Sequence, residues 1–271
     1  MNTKSKLIIA ASALAALPVF LCAPGKSAKE QRAVFKGRNI AHRGLHTNDK
    51  SVPENSLAAF RLAAENGYGM ELDVQLSKDG EVVVFHDDTL ERVCGVHSRV
   101  DEKTLAELKE LSLCGTNERI PLFTEMLELV DGRTPLVVEL KSGPRNRELC
   151  KKTLAILKNY KGEFCVESFN PLIVGWFRVH APEILRGQLA AGAGDYKDMP
   201  KAEIFALSRC LMNFISRPQF IAYQLVRRPL TVRLSEILGA MRVCWTSHDA
   251  KNEKGKDTVI FEFYRPGVRF K

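Results

Sequence analysis

The sequence lacks several features that would place it in a class at once. None of its seven cysteines forms a Cys-x-x-Cys pair, and an odd number fits a reduced compartment better than a disulfide framework. The basic residues give a formal net charge of +8, but they are scattered and no aromatic platform is interleaved with them. Nucleic-acid binding is therefore not expected. The charge suits an anionic partner such as a phosphate ester or an acidic membrane surface.

Internal repeats are also absent, and the 271 residues suffice for one large α/β domain. The one long uncharged apolar run, Leu7 to Ala23, is followed by sites that match signal-peptidase recognition poorly. We predict that it is a transmembrane helix, with residues 1–37 as membrane anchor and linker and residues 38–271 as the folded domain. More Lys and Arg follow the run than precede it, which favours a cytoplasmic domain; an exported domain is the alternative.

Short apolar runs alternate with amphipathic stretches in the domain, which indicates βαβ units and a parallel sheet. Strands are predicted over 39–42, 70–75, 82–86, 135–141, 164–169, 184–189, 220–224, 243–246 and 259–263, and helices over 56–66, 122–130, 147–159, 171–180, 202–215 and 230–241. Nine strands are one too many for an eight-stranded barrel, so the run 82–86 is interpreted as an antiparallel extra. The predicted fold is α/β, an irregular (β/α)8 TIM-like barrel with a small insertion, about 88–120, after the second strand.

Three carboxylates form a candidate metal site. Glu71 and Asp73 are two residues apart in a strand-like run, so both side chains point to the same face. In a barrel that face is the interior, where charges need a metal or partners. Together with Glu139 they offer the oxygen ligands that Mg²⁺ or Ca²⁺ prefers.

An Asp-Gly pair at 79–80 joins two alternating runs and indicates a β-hairpin. With a two-residue turn, counting back along the ladder places His86 directly opposite Asp73. A three-residue loop would shift this register by one position.

His42 and His86 are the candidate acid and base, because two imidazoles that flank a phosphoester can divide the proton transfers. Arg43 adds an anion-binding fork, and Lys141 shares a strand face with Glu139, which suits a phosphate clamp beside a metal. Trp245 is either ordinary core or packs against the apolar face of a substrate. The remaining histidines lack such surroundings and are interpreted as surface or structural: His46, His97, His180 and His248.

An ordered set of motifs carries a family resemblance. The motifs are His42-Arg43-Gly44, Pro53-Glu54-Asn55-Ser56, Glu71-Leu72-Asp73-Val74, His86-Asp87, Glu139-Leu140-Lys141, Glu167-Ser168-Phe169 and Trp245-Thr246. Over roughly Asn39 to Thr246 the chain resembles the glycerophosphodiester phosphodiesterase family. The resemblance implies a TIM-like barrel that hydrolyses glycerophosphodiesters to sn-glycerol 3-phosphate and an alcohol. It also implies a divalent metal at Glu71, Asp73 and Glu139, acid/base histidines at His42 and His86, phosphate contacts from Arg43 and Lys141, and substrate packing by Trp245.

The chain departs from the family in its last strand, where residues 259–266 do not match the usual Gly-Ile-Ile-Thr-Asp-Tyr-Pro-like segment. Two other functions stay open. The basic charge and the predicted anchor favour a lysophospholipase D that acts on membrane lysolipids. The third possibility is a catalytically inactive, membrane-tethered binding module.

Overall fold

The fold is built around one sheet, seen in a computed structural model that describes residues 16–271. In this range β1 pairs with both β2 and β9, so eight parallel strands close into a barrel. β3 pairs antiparallel with β2 and lies outside the closed ring. The strands are β1 Arg38–Ala41, β2 Gly69–Leu76, β3 Val82–Val84, β4 Leu136–Leu140, β5 Phe164–Ser168, β6 Arg186–Ala190, β7 Phe220–Gln224, β8 Met241–Ser247 and β9 Thr258–Phe261. The predicted TIM-like barrel with one antiparallel extra strand is confirmed.

Helices with an apolar stripe cover the outside of the barrel. In α5 (Phe123–Val130), for example, Phe123, Met126, Leu127 and Val130 are buried at a spacing that returns to the same helix face. They pack in the same core cluster as the outward side chains of β2 and β4. The helices are α1 Lys29–Phe35, α2 Leu57–Glu65, α3 Glu91–Cys94, α4 Leu105–Lys109, α5 Phe123–Val130, α6 Asn146–Leu157, α7 Pro171–His180, α8 Lys201–Ser208, α9 Asn213–Ser216 and α10 Leu230–Ile237.

The hairpin between β2 and β3 corrects the predicted register. Leu76 pairs with Val82 and Val74 with Val84, so three residues, 78–80, form the loop. Consequently Phe85 lies opposite Asp73, and the Phe85 amide donates to the Asp73 carbonyl at 3.0 Å. The two-residue turn that placed His86 there was wrong by one position.

Two predicted helices are shorter or broken. The stretch 202–215 forms α8 and α9 with a break between them, where Cys210 takes a positive φ of 51°. The helix predicted over 230–241 ends at Ile237, and Gly239 then adopts φ 111°, a conformation that side-chain-bearing residues rarely take.

The predicted insertion lies between β3 and α5 and contains α3 and α4. It has an apolar cluster of its own, which includes Phe85, Leu90, Val100 and Leu108. The insertion therefore folds as a small packed layer rather than as an open loop.

The N-terminal anchor prediction falls mainly on residues outside the described range. Residues 16–22 are helical, Phe20 stacks on Phe214 at 5.6 Å between ring centroids, and Cys22 is buried. Within 16–271 no helix combines the length and apolar character that a membrane crossing needs. Membrane attachment and cytoplasmic placement stay predictions.

Candidate active site

The three predicted metal ligands meet inside the barrel. Glu71 and Asp73 lie on β2, and the strand register sets Asp73 beside Glu139 of β4, which in turn pairs with Glu167 of β5. One oxygen of each of Glu71, Asp73 and Glu139 lies within 4.8 Å of the others, and all three side chains are buried. The structure therefore brings together the three residues that the sequence predicts as metal ligands. Glu167 is a fourth buried carboxylate that the sequence interpretation used only as part of a motif.

The electrostatics of this group call for a cation. Burial and the neighbouring carboxylates raise the pKa of Glu71 well above its usual range, and burial also raises the pKa of Glu139 and Glu167. Asp73 Oδ1 accepts no hydrogen bond from the described residues, although Lys141 Nζ lies 3.4 Å away. A set of buried oxygen donors with an unpartnered oxygen among them fits a hard divalent cation such as Mg²⁺ or Ca²⁺.

Two cations flank the carboxylates, as predicted. Lys141 Nζ lies 2.9 Å from Glu139 Oε1, and these carboxylates raise the lysine's pKa despite its burial. Arg43 donates its backbone amide to Glu71 Oε2 at 2.9 Å, and its Nε lies 3.6 Å from Asp73 Oδ2. Both groups border the cleft, where they can hold an anion.

A sharp turn after β1 aims Arg43 at the carboxylates. Arg43 and Gly44 both have positive φ, 51° and 77°. A side chain at Gly44 would approach Ala59 and Phe60 of α2 to 2.9–3.0 Å, so only glycine lets the turn pack this closely. Next to this turn Asn55 donates to Asp73 Oδ2 at 2.8 Å.

His42 lies beside an acidic residue that the sequence interpretation missed. Because Ala41 of β1 is in register with Phe261 of β9, the residues that follow, His42 and Glu262, stand side by side at the strand ends. His42 Nδ1 lies 3.6 Å from Glu262 Oε2, and His46 Nε2 lies 3.2 Å from Glu262 Oε1. The available signal for Glu262 was its place near the end of the last predicted strand, 259–263.

His46, interpreted as surface or structural, is buried and lies beside Glu262. His42, His46 and Glu262 also form a possible metal-binding group, with donor atoms within 4.8 Å of one another. Burial lowers the pKa of His42 to about 4 even though Glu262 raises it, so this ring is neutral near pH 7. Two histidines with one carboxylate are a donor set that suits zinc better than magnesium.

His86 has a carboxylate partner of its own. Its Nδ1 lies 2.6 Å from Asp87 Oδ1, and Gln75 holds the loop by donating to the carbonyls of Phe85 and Asp87. Both His86 and His42 border the same cleft as the carboxylate group. The one-residue register correction therefore leaves His86 at the site.

The cleft has a polar floor and an apolar wall. Its volume is about 790 Å³. The wall includes Phe169, Leu207, Met212 and Trp245, and Trp245 meets Phe169 edge to face at 5.6 Å. The Trp245 indole donates to the Ala222 carbonyl at 3.0 Å, which fixes the ring at the cleft border. Glu54 of the Pro53-Glu54-Asn55-Ser56 motif pairs with Arg43 and Arg92.

The fold and this arrangement define a TIM-barrel protein with a buried cluster of carboxylates that could hold a metal ion, beside a cleft that is bordered by Arg43 and Lys141. The family model described as "Glycerophosphoryl diester phosphodiesterase family" matches residues 42–258. The chain belongs to this family. The resemblance seen in the sequence motifs is confirmed.

Individual relatives agree. A glycerophosphodiester phosphodiesterase of Caldanaerobacter subterraneus subsp. tengcongensis is 39% identical over 165 residues, 55% of this chain and 65% of the relative. A lysophospholipase D of Rattus norvegicus is 36% identical over 149 residues, 50% of this chain and 45% of that protein. The chain thus spans less than two thirds of these curated relatives. An Oleispira antarctica phosphodiesterase solved in complex with the product sn-glycerol-3-phosphate superposes with a TM-score of 0.68 and 25% identity, over 86% of this chain and 95% of the other.

Proposed function

We propose that the protein hydrolyses glycerophosphodiesters to sn-glycerol 3-phosphate and an alcohol with the help of a divalent metal. The main observation behind this proposal is that His42 and His86, each beside its own carboxylate, border one cleft. The same cleft is bordered by the cluster of three carboxylates and by the cations of Arg43 and Lys141. The Oleispira relative that holds sn-glycerol-3-phosphate supports the product.

Glu71, Asp73 and Glu139 would hold the metal, which when bound neutralises charge on the phosphoryl oxygens. Arg43 and Lys141 add fixed positive charge on the same phosphate, and such preorganised charge is usually the largest catalytic contribution. Trp245 packs against the apolar part of the substrate.

The histidines divide the proton transfers. His42 is neutral near pH 7 and accepts the proton of the attacking hydroxyl, from water or from the substrate's own glycerol. As the nucleophile's oxygen bonds to phosphorus, the bond to the alcohol oxygen breaks, and His86 delivers a proton to that oxygen. If the nucleophile is the glycerol hydroxyl, this step leaves a cyclic phosphate. Water then attacks its phosphorus and gives a proton to His86, His42 returns its proton to the departing glycerol oxygen, and sn-glycerol 3-phosphate is released. Asp87, 2.6 Å from His86 Nδ1, holds the ring for this transfer.

The test is turnover of a panel of glycerophosphodiesters with EDTA, Mg²⁺, Ca²⁺ or Mn²⁺. We expect metal-dependent release of sn-glycerol 3-phosphate, and loss of about 100-fold in His42→Ala and in His86→Ala, the size typical of acid/base groups. His97→Ala is the matched control, since His97 is exposed and its ion-pair partner among residues 16–271 is Glu91. A wild-type protein that hydrolyses no glycerophosphodiester with any metal would favour the inactive binding module.

A lysophospholipase D activity is the second candidate, favoured by the apolar wall of the cleft. Leu207 and Met212 line it, and Leu172 at its border is 61% exposed. An acyl chain can bury its methylene groups there, whereas glycerophosphocholine has no acyl chain to bury. The rat relative named lysophospholipase D agrees with this.

Two substrates separate the candidates: soluble glycerophosphocholine and micellar lysophosphatidylcholine. If the lysolipid is a substrate, Met212→Gln lowers its kcat/KM and spares glycerophosphocholine. Leu230→Gln is the control, because Leu230 is exposed and does not line the cleft. Equal losses on both substrates would contradict the acyl-chain assignment.

A further inference from the structure

We propose that Arg92, in the insertion, is a positioning residue that holds the acid/base His86 and the phosphate-binding Arg43 in place at the same time. The inference rests on the proposed function. Arg92 lies on α3, outside the barrel, and does not line the cleft. It acts through two carboxylates, Asp87 and Glu54.

The first branch reaches His86. Arg92 Nε donates to Asp87 Oδ2 at 2.6 Å, and its Nη2 donates to Asp87 Oδ1 at 3.0 Å. The same Oδ1 lies 2.6 Å from His86 Nδ1. With two bonds from one planar guanidinium, the Asp87 carboxylate cannot rotate freely, and the His86 ring is fixed by it.

The second branch reaches Arg43. Arg92 Nη1 and Nη2 donate to the two oxygens of Glu54 at 2.8 and 2.7 Å, and Glu54 Oε1 accepts from Arg43 Nη1 at 2.7 Å. Burial alone would raise the pKa of Glu54, but the hydrogen bonds and charges of both arginines lower it to about 2. Glu54 therefore stays ionised and keeps Arg43 beside the carboxylate group.

The insertion has an apolar cluster of its own, with Val93 of α3, Leu113 and Ile120 among its members. Within residues 16–271 the Arg92 guanidinium donates four hydrogen bonds, and all four go to carboxylates of the site loops. Two go to Asp87, which follows β3, and two go to Glu54, which follows β1. This distribution indicates alignment of the two site loops rather than support of the insertion.

The experiment compares Arg92→Ala with Arg99→Ala. Arg99 is the matched control: it is in the same insertion, is similarly exposed and pairs with Asp101 and Asp88, which touch neither site histidine nor Arg43. We expect Arg92→Ala to lower kcat for glycerophosphocholine by about 100-fold, the size expected when a reacting group is misplaced by about 1 Å, and also to raise KM. Arg99→Ala should leave both constants within about twofold, as an uncoupled surface change does.

Double variants distinguish positioning from general destabilisation. If Arg92 acts through Asp87, the Arg92→Ala/Asp87→Asn double variant should have nearly the same kcat as Asp87→Asn alone. If Arg92 also acts through Glu54, the Arg92→Ala/Glu54→Gln double variant should have nearly the same KM as Glu54→Gln alone. Arg92→Lys, which keeps the charge but cannot bridge both carboxylates, should recover less than half of the lost activity on a logarithmic scale.

Three results would overturn the proposal: an Arg92→Ala variant as active as Arg99→Ala, additive losses in both double variants, or full recovery in Arg92→Lys. Should Arg92→Ala fail to fold, the Arg92→Lys variant and its double variants decide the matter by the same criteria. A wild-type protein without activity on any glycerophosphodiester would refute the proposed function itself. If the wild type is active and Arg92→Ala leaves kcat and KM unchanged, only this inference is refuted.

Discussion

Glu262→Gln tests the partner of His42 that the structure adds to the predicted site. The change keeps the side chain's shape but removes the charge that lies 3.6 Å from His42 Nδ1 and 3.2 Å from His46 Nε2. His42 Nδ1 has no hydrogen-bond partner among the described residues, so the contribution of Glu262 is electrostatic. Two opposite unit charges about 4 Å apart attract by about 1 kcal/mol in water and about 4 kcal/mol at an effective dielectric constant of about 20, and about 1.4 kcal/mol is one factor of ten in rate. We take an intermediate value and expect kcat to fall by about 10- to 150-fold, if the interaction is strongest while His42 carries the transferred proton.

The assay is the pH profile of kcat/KM for glycerophosphocholine. Burial lowers the pKa of His42, and Glu262 opposes that shift. Removing the carboxylate lowers the pKa further, so the acidic limb of the profile moves to lower pH. Glu253→Gln is the control, since Glu253 accepts a hydrogen bond from Asn39 at 2.8 Å and touches neither histidine. A Glu262→Gln variant with wild-type kcat and an unmoved acidic limb would refute the reasoning.

Three further outcomes follow from the metal site and the barrel. In the folded protein the pKa values of Glu71 and Glu139 are raised, so both hold protons that the unfolded chain releases above about pH 4.5, and the metal-free protein loses stability as pH rises through the raised values. At pH 7.5 a divalent cation at 100 times its Kd should therefore increase the free energy of unfolding by about 2.7 kcal/mol and raise Tm by at least about 5 °C. The Asp73→Asn variant should not show this increase. Ser56→Ala removes the side-chain cap that accepts from the Ala59 amide and should cost about 1 kcal/mol in urea unfolding. Gly187→Ala would bring a methyl group to 1.9 Å from the Phe220 ring, so calorimetry should show a loss of about 1–3 kcal/mol or more.

Much of the site could be predicted because residues close in sequence fix it. Glu71 and Asp73 share a strand face through simple alternation, and Glu139 follows because its parallel strand is the next one in the ring. The hairpin register was wrong by one, since loop length depends on backbone conformation: Gly80, at φ 85°, closes a three-residue loop that an Asp-Gly pair alone does not specify.

The missed residues depend on contacts between distant parts of the chain. Glu262 reaches His42 only because β9 pairs with β1, and Arg92 reaches Glu54 only because the insertion packs over the loop that follows β1. Helix α8 ended early for a similar reason: the break at 209–212 lets the Ser208 and Arg209 carbonyls accept from Tyr223 and Thr231. Local patterns contain no information about such partners.

The pairing of β1 with β9 also has a consequence for the incomplete chain during synthesis. The β1 strand is made early and gains β2 as a neighbour, but its other edge has no partner until Thr258–Phe261 is present. Unpaired strand edges are templates for aggregation, and pairings between distant segments form slowly. A chain interrupted before β9 would expose two open edges, those of β1 and β8, and would carry His42 without its carboxylate. We therefore expect incomplete chains to be both aggregation-prone and inactive.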